Sequence, residues 1–315
     1  MIVELILGLI LLVVGGEVLV RHSSGLALKS NLPPLIVGLT VVSIGTSSPE
    51  LFASLQAVWS DVEGAEGIAV GNVIGSNIAN LGLALGLTAM ISPMIVDRRV
   101  LSLDLPLMVL VTLLFGGLAL DGVFSLTDGI ILISGLASYL WFQIYRSRNI
   151  KNAKVPDEVK ESSKVAEKSF GYLIICIVIG CVLLYFGSEL FISSAVDVAE
   201  YLGVNKMIIG VTVVAFGTSV PEIVASVMAA LKGEGDIGIG NIVGSNIMNI
   251  LLVLGGTSLL KDLEVKSTVI NYDFLWMLGT AALLYPFVKI GKNISRTKGT
   301  IYVICYLTYI YFTLN

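Results

Sequence analysis

The sequence has little charge and little of what soluble catalytic or metal centres need. Asp, Glu, Lys and Arg make up only 13% of the 315 residues, about half the share of a soluble domain. There is one histidine, and the three cysteines, Cys176, Cys181 and Cys305, lie in apolar runs without zinc or disulfide spacing. With 56% hydrophobic residues and a mean hydropathy of +0.93, most of the chain is expected to lie in lipid.

Several function classes are excluded by what is missing. Basic residues form no patch interleaved with aromatic residues, so nucleic acid is not an expected partner. We find no HExxH motif and no nucleophile–base set, so the chain is not expected to be an enzyme or to hold a cofactor. The lipid bilayer is the first expected partner.

Long apolar runs predict an all-α polytopic membrane protein. A helix needs about 20 mostly apolar residues to cross a bilayer, and ten segments qualify. They are residues 2–20, 34–60, 66–91, 101–120, 126–145, 170–190, 206–231, 236–260, 268–289 and 299–314. The tyrosines of the last segment predict that it lies partly at the membrane–water boundary.

The two halves of the chain are copies of one unit. The segment GTSSPE at 45–50 returns as GTSVPE at 217–222, and GNVIGSNIAN at 71–80 returns as GNIVGSNIMN at 240–249. We therefore divide the chain into a first repeat at 1–145, a polar linker at 146–169 and a second repeat at 170–315. Each repeat holds five predicted spans, an odd number, so the second copy must be inverted in the membrane, as in secondary transporters.

The basic residues predict the orientation. If the N-terminus is extracellular, 16 of the 19 Lys and Arg residues fall in cytoplasmic loops or in the linker, as the positive-inside rule requires. We therefore predict a multi-pass plasma-membrane protein with both termini outside and the linker in the cytoplasm. The sequence does not fix the oligomeric state; a monomer would suffice for one transport site.

The GTSxPE motif places a carboxylate deep in the membrane in each repeat. Burying a charged side chain there costs at least ~2.5–3.5 kcal/mol on insertion scales, and a bound cation would offset that cost. Pro49 and Pro221 lack an N–H and each removes a helical hydrogen bond, which frees backbone oxygen atoms. Thr46 and Glu50 lie one helical turn apart and face the same side. Such oxygen ligands suit Na⁺ or Ca²⁺.

In the GNxxGSNxxN motif, polar residues recur at every fourth position and form a stripe on one face of the helix. The two glycines of the motif are also spaced by four. Asn72, Asn77, Asn241 and Asn246 are expected to bridge helices by hydrogen bonds. Glycines spaced by four let helices approach closely. Among the remaining acids, Glu17 and Glu189 are expected near an interface, and Asp104 and Asp273 are expected to be solvated at the ends of their spans.

With these two motifs, each present twice, the sequence resembles the calcium/cation antiporter superfamily, in particular its prokaryotic sodium/calcium exchangers. The resemblance covers essentially the whole chain. It implies ten helices around four ion sites between spans 2, 3, 7 and 8. It also implies that long, tilted spans 1 and 6 slide past the rest of the protein during alternating access.

The resemblance also implies a ligand set. Glu50 and Glu222, with the backbone oxygens of Thr46 and Thr218, would bind Ca²⁺. The flanking sodium sites and the centre of the cluster would use Ser43, Ser47, Ser76, Asn80, the Ala215 carbonyl, Ser219, Ser245 and Asn249. Asn249 departs from well-known relatives, which have an aspartate there, and this leaves the counter-ion open. Sodium/calcium exchange is the first hypothesis, H⁺/Ca²⁺ antiport the alternative and a cation channel the least favoured.

Overall fold

The computed structural model describes residues 2–59, 66–149, 164–201 and 217–314. These residues are almost entirely helical, because a backbone in lipid must satisfy its own hydrogen bonds. We label the helices in chain order: α1 Ile2–Lys29, α2 Pro34–Trp59, α3 Gly67–Ile91, α4 Val100–Asp121, α5 Leu126–Asn149, α6 Phe170–Tyr201, α7 Val220–Leu231, α8 Gly235–Ser258, α9 Phe274–Lys289 and α10 Arg296–Leu314.

Seven of the helices among the described residues, α1 to α6 and α8, are long and apolar enough to cross a membrane. Helix α7 is the second half of the predicted seventh span, whose first residues lie outside the described part of the chain. Helices α9 and α10 take the places of the last two predicted spans. The prediction of an all-helical membrane protein is confirmed.

Helices α1 and α6 are longer than the sequence predicts. The apolar run of α1 ends near Val20, but the helix continues to Lys29. His22, Ser23 and Ser24 are buried in this extension, because it packs inside the protein rather than facing lipid. Helix α6 likewise continues beyond the predicted end at residue 190, to Tyr201.

The helices form layers with α3 and α8 at the centre. In the most apolar stretch of α8, 94% of the residues are buried, against 28% in α1, α5 and α6. The outer helices expose large apolar side chains such as Ile6, Trp141 and Ile175, and these are the lipid-facing surface. The central helices carry both GNxxGSNxxN motifs, so the polar stripes lie in the interior.

Two short antiparallel ribbons join loops of the two repeats. Strand β1, Met94–Ile95, pairs with β4, Asn293–Ile294, and β2, Val123–Phe124, pairs with β3, Leu263–Glu264. Each ribbon therefore connects two loops that a ten-span topology puts on the same side of the membrane. Repeat-related strands lie in different ribbons, which is the arrangement expected of inverted repeats.

Segments of π-helix also recur in both repeats. Asn80–Leu85 in α3 corresponds to Asn249–Leu254 in α8, and Val100–Asp104 corresponds to Val269–Asp273, just before α9. A further π-segment, Gly38–Val42, widens the first half of α2. Since π-segments change which face a helix presents, they help to orient the polar motifs.

The prediction that Asp104 is solvated at an interface is wrong. Its side chain is fully buried and accepts a bidentate ion pair from Arg146, with Nη1–Oδ1 at 2.7 Å and Nη2–Oδ2 at 3.2 Å. The Gln143 amide donates to the same carboxylate at 3.3 Å. Helix α5 continues to Asn149, so Arg146, at the start of the predicted linker, lies in a helix and compensates the buried acid.

Removing one partner of this pair is expected to be costly. Arg146→Met leaves the Asp104 charge buried without its counter-charge, which typically costs about 3–5 kcal/mol. The double variant Asp104→Leu/Arg146→Met removes both charges and should recover part of that loss. Thermal unfolding of the purified variants in detergent tests this, and equal losses in the single and double variants would contradict it.

The tyrosines of α10 also differ from expectation. Tyr302, Tyr306 and Tyr309 are buried, and only Tyr311 of the four is exposed. The Tyr302 hydroxyl donates to the Thr280 carbonyl at 3.1 Å, and the Tyr309 hydroxyl donates to Asp273 at 3.0 Å. These side chains attach α10 to α9 and to the segment just before it. Buried tyrosines do not mark a membrane boundary, so they give no support to the prediction that α10 lies partly there.

Candidate functional site

Helix α2 is broken at the first GTSxPE motif. Regular α-helix ends before Ser47, whose φ and ψ are −84° and 3°, and begins again at Ser48. Pro49 is the second residue of the new segment, a position where a missing N–H is tolerated. The proline-induced interruption predicted from the sequence is therefore present, and Glu50 lies in the first turn after it.

The second motif has the same geometry. Ser219 has φ and ψ of −89° and 0°, and α7 begins at Val220 with Pro221 and Glu222 in its first turn. The Gly217 carbonyl, which would normally accept from residue 221, accepts instead from the Ser188 hydroxyl of α6 at 2.9 Å. Both repeats thus present a carboxylate and a hydroxyl-rich turn at a helix break.

Glu50 and Glu222 are completely buried. Among the described residues, neither oxygen of Glu50 has a hydrogen-bond partner, nor does Oε2 of Glu222. The Ser47 hydroxyl donates to Glu222 Oε1, and this hydrogen bond is long at 3.4 Å. The two carboxylates are close enough to repel each other. Buried anions without a partner are strongly unfavourable, so this pair fits a cation.

The hydroxyl groups of each repeat contact the other repeat. Thr46 Oγ1 and Ser245 Oγ are 3.3 Å apart, and Ser76 Oγ and Thr218 Oγ1 are 3.2 Å apart. Thr46 also donates to the Asn241 side chain at 3.0 Å. These contacts bring α2, α3, α8 and the start of α7 together around the two acids, so the candidate ligands of both repeats form one cluster.

The two asparagines predicted at the centre differ from each other. Asn80 is fully buried, and neither polar atom of its amide has a partner among the described residues. Asn249 is also buried, but its Nδ2 donates to Asn77 Oδ1 at 3.1 Å, leaving only Oδ1 unpaired. Ser219 Oγ is buried and unpaired as well. These orphaned oxygens lie at the helix breaks and in the polar stripes and could act as further ion or water ligands.

The other asparagines mostly bridge helices, as predicted. Asn72 Nδ2 donates to the Glu50 carbonyl at 3.2 Å, Asn77 Nδ2 to the Asn246 carbonyl at 3.2 Å, and Asn241 Nδ2 to Ser226 Oγ at 3.0 Å. Asn246 differs, since its own amide donates within α8, to the Ile242 carbonyl at 2.8 Å. These bonds fix the helices that surround the acids.

The glycines of the second motif allow α8 to touch α2 backbone to backbone. A Cβ atom on Gly240 would lie 2.7 Å from the Leu35 carbonyl oxygen, and one on Gly244 would lie 2.8 Å from the Leu39 carbonyl oxygen. A Cβ on Gly38 would lie 2.6 Å from the Ile237 carbonyl oxygen. No side chain fits there, so glycine at these positions allows the broken helix α2 to lie directly against the polar stripe of α8.

The residues of the predicted ligand set are buried, except Thr218, which is partly buried, and Ala215, which lies outside the described residues. The Ser43 hydroxyl is engaged inside α2, where it donates to the Thr40 carbonyl at 3.1 Å. The Ser43 carbonyl accepts the Ser47 N–H at 2.9 Å and a long bond of 3.5 Å from the Thr46 hydroxyl. For Thr46 and Thr218 the structure shows side-chain contacts, while the predicted ligand atoms are in the backbone.

Sequence reasoning missed two contacts next to the site. The Ser188 bond to Gly217 has no equivalent in the first repeat, because aligning the two GTSxPE motifs places Gly16 opposite Ser188. The sequences of the two repeats therefore already show this difference. Glu17 pairs with Lys232 at 2.5 Å, beyond the end of α7, and no sequence pattern indicated this partner. Both contacts connect α1 or α6 to the broken helix α7.

The set of ligand types is that of a site for hard cations. Groups of three or more His, Cys, Asp and Glu side chains suited to a metal ion are absent from the part of the chain that the structure describes. Two carboxylates with hydroxyl, amide and carbonyl oxygens remain. Na⁺ and Ca²⁺ prefer oxygen ligands of this kind, and a small number of charges allows an ion to leave as well as to bind.

Comparisons with known proteins agree with this architecture. The E. coli inner membrane protein YrbG is 36% identical over 87% of this chain and 84% of its own length. The sodium/calcium exchanger MaX1 of Methanosarcina acetivorans is 31% identical over 97% of this chain and 96% of its own. A solved structure of the sodium-calcium exchanger NCX_Mj, 33% identical, superimposes with a TM-score of 0.82 and covers 99% of this chain and 98% of that chain.

Other structures of NCX_Mj come from samples soaked with Na⁺ together with Ca²⁺ or Sr²⁺. The sequence profile described as sodium/calcium exchanger protein matches residues 1–145 and again residues 172–315. Because these matches cover nearly all of the chain, and because the helix breaks and polar stripes occur in both, this multi-pass membrane protein belongs to the sodium/calcium exchanger family of ion transporters.

Proposed function

We propose that the protein is a secondary active antiporter that exchanges Na⁺ for Ca²⁺ by alternating access and that Na⁺ entry drives Ca²⁺ out of the cell. The observation that carries the proposal is the pair of fully buried carboxylates, Glu50 and Glu222, at helix breaks in the two repeats, with three of their four oxygen atoms unpaired among the described residues. The name of the relative MaX1 supports the same ions.

Charge counting favours exchange. Two carboxylates neutralise one Ca²⁺, whereas three Na⁺ on the same acids leave one positive charge, so exchange of three for one would move net charge. Because both loads use Glu50 and Glu222, they exclude each other. An empty pair would leave two anions in a medium of low dielectric constant, which disfavours switching sides without cargo. These two properties together give coupled transport.

We assign the ligand roles on the same basis. Glu50, Glu222 and the Thr46 and Thr218 carbonyls are proposed to bind Ca²⁺. The flanking Na⁺ positions are proposed to use Ser43, Ser47, Ser76, Ala215, Ser219 and Ser245, with Asn80 and Asn249 at the centre. The cross-repeat contacts of Thr46 with Ser245 and of Ser76 with Thr218 support a shared site. One chain would contain the complete site.

We further propose the topology that the basic residues predict. Both termini would be extracellular, and the linker at 146–169 between the repeats at 1–145 and 170–315 would be cytoplasmic. The strand pairs β1–β4 and β2–β3 support the ten-span topology on which this orientation is built, because each joins loops that ten spans place on one side. Labelling of single cysteines placed at residue 4 and at residue 157 in intact cells tests it.

Transport in liposomes distinguishes the candidate functions. We expect Ca²⁺ uptake by the reconstituted protein when Na⁺ is inside, and little uptake with K⁺ or choline inside, at fixed pH and clamped voltage. Uptake driven by a pH step without Na⁺ would instead identify an H⁺/Ca²⁺ antiporter, for which the two acids would carry the protons. Uptake that depends on neither gradient would identify a channel.

A further inference from the structure

The π-segment at the start of α2 changes the hydrogen bonding of one backbone turn. In an α-helix the Leu39 carbonyl would accept from the N–H of Ser43. Here the Ser43 N–H donates instead to the carbonyls of Gly38 and Thr40. Leu39 is fully buried, and a buried carbonyl is stabilised by a hydrogen-bond donor. A donor from another helix can therefore contribute at this point.

Tyr139 of α5 supplies that donor. Its hydroxyl donates to the Leu39 carbonyl at 3.2 Å, and the side chain is 4% exposed. Gly244 of α8 lies on another side of the same carbonyl, so close that a Cβ atom there would be 2.8 Å from the oxygen. Gly244 thus leaves room for the bulged backbone, and the Tyr139 hydroxyl donates a hydrogen bond to its carbonyl.

Tyr139 lies one helical turn from a buried polar cluster. Gln143, the residue one turn further along α5, donates to Asp104, which forms the buried ion pair with Arg146. Polar groups therefore follow one face of α5 from its end to the residue that contacts the bulge in α2. Helix α5 does not need these polar groups to insert into lipid, and burying them costs free energy. Their presence therefore indicates a specific role.

The repeat-related tyrosine performs a different task. Tyr139 and Tyr309 occupy the same position relative to strands β2 and β4. The Tyr309 hydroxyl donates to the Asp273 side chain at 3.0 Å rather than to a backbone carbonyl. Both tyrosines are buried and donate one hydrogen bond, but the bond from Tyr139 reaches α2 and the bond from Tyr309 reaches the segment just before α9. Tyr309 is therefore a matched control for Tyr139.

We propose that Tyr139 is a positioning residue for sodium binding. A π-bulge turns the helix after it relative to the helix before it, so the bond from Tyr139 fixes the direction in which Ser43 and Ser47 face. This inference rests on the proposed function, in which Ser43 and Ser47 belong to a sodium position. Glu50, the proposed Ca²⁺ carboxylate of this repeat, lies beyond the helix break at Ser47, and half of the proposed Ca²⁺ ligands come from the second repeat. Calcium binding should therefore depend less on the bulge.

The test is Tyr139→Phe, which removes one oxygen atom and keeps the ring. Loss of one hydrogen bond at the site should raise the Na⁺ concentration for half-maximal Na⁺-driven Ca²⁺ uptake by roughly three- to tenfold. The half-saturating Ca²⁺ concentration should change by less than about twofold, since few of its ligands move. Tyr309→Phe should leave both concentrations unchanged. The rise in melting temperature with added Na⁺ or added Ca²⁺, measured in detergent, provides a second readout that does not require transport.

The outcomes separate the inference from the proposed function. If the wild-type protein shows no Na⁺-dependent Ca²⁺ uptake and no stabilisation by Na⁺, the proposed function fails and takes the inference with it. If the wild type exchanges the ions but Tyr139→Phe has no effect, or shifts the Na⁺ and Ca²⁺ dependences equally, the inference alone is overturned. A shift of the same size in Tyr309→Phe would also overturn it, because the effect would then follow from stability.

Discussion

Replacing either buried acid by its amide should abolish Ca²⁺ transport while leaving the fold intact. Glu50→Gln and Glu222→Gln keep the shape of the side chain and remove the charge that a divalent cation requires. We expect Na⁺-driven Ca²⁺ uptake to fall by at least about a hundredfold in each variant, since hydrogen bonds and ion contacts to charged ligands are the stronger ones. Isotope uptake into liposomes measures this.

The same two substitutions should not reduce, and can increase, the stability of the protein in the absence of cations. In the absence of cations the wild type buries two anions with three unpaired oxygen atoms among the described residues, and a neutral amide reduces the desolvation cost. Both variants should therefore melt at the same or a higher temperature than the wild type without Ca²⁺. They should also lose the stabilisation by Ca²⁺, which is worth about 2.7 kcal/mol at a hundred times the dissociation constant.

Asp273→Asn is the matched control for charge removal. Asp273 is a half-buried acid just before α9 that accepts from Tyr309 and, among the described residues, has no hydrogen bond to a candidate ligand. It should retain Ca²⁺ uptake and stabilisation by Ca²⁺. Normal uptake by both glutamine variants, or equal loss in Asp273→Asn, would remove Glu50 and Glu222 from the site.

The second large effect concerns a methyl group at Gly240. In Gly240→Ala the new Cβ would lie 2.7 Å from the Leu35 carbonyl oxygen and 3.1 Å from the Gly38 Cα atom, where only backbone atoms could give way. Helix α2 would have to move away from α8, which separates Thr46 from Asn241 and Ser245. We expect loss of ion exchange and destabilisation of about 1–3 kcal/mol or more.

Gly279→Ala is the control for this change. Gly279 lies in α9, and nothing among the described residues is within 4 Å of a Cβ atom placed there. Alanine favours helix over glycine by about 1 kcal/mol, so this variant should be as stable as the wild type or more so, with normal exchange. Uptake assays and melting in detergent compare the two. Full activity in Gly240→Ala would show that the close contact is unnecessary.

The sequence predicted the parts of this architecture that depend on composition and repetition. Apolar runs indicated the spans, and repeated motifs indicated that Glu50 and Glu222 are equivalent. Prolines at 49 and 221 indicated the helix breaks because the lack of an N–H is a local property. The glycine spacing indicated close helix contacts, though not which helix would be approached.

Contacts between distant side chains could not be predicted in the same way. Asp104 was expected in solvent because it lies near the end of an apolar run, but its burial depends on Arg146 in another helix. The bulge at Gly38–Val42 has no sequence signature that we recognise, and its partner Tyr139 is distant in sequence. These features depend on tertiary packing, which overrides local patterns.

The way α1 and α6 touch has a mechanical consequence. A Cβ atom on Gly8 would meet the backbone of Phe191, one on Gly15 the backbone of Leu184, and ones on Gly180 and Gly187 the backbones of Leu19 and Leu12. Sliding one helix along the other would bring larger residues into gaps that hold only hydrogen. We therefore expect the two long helices to move as one unit. Because each belongs to a different half of the chain, movement of one half during the proposed alternating access would move the other half as well.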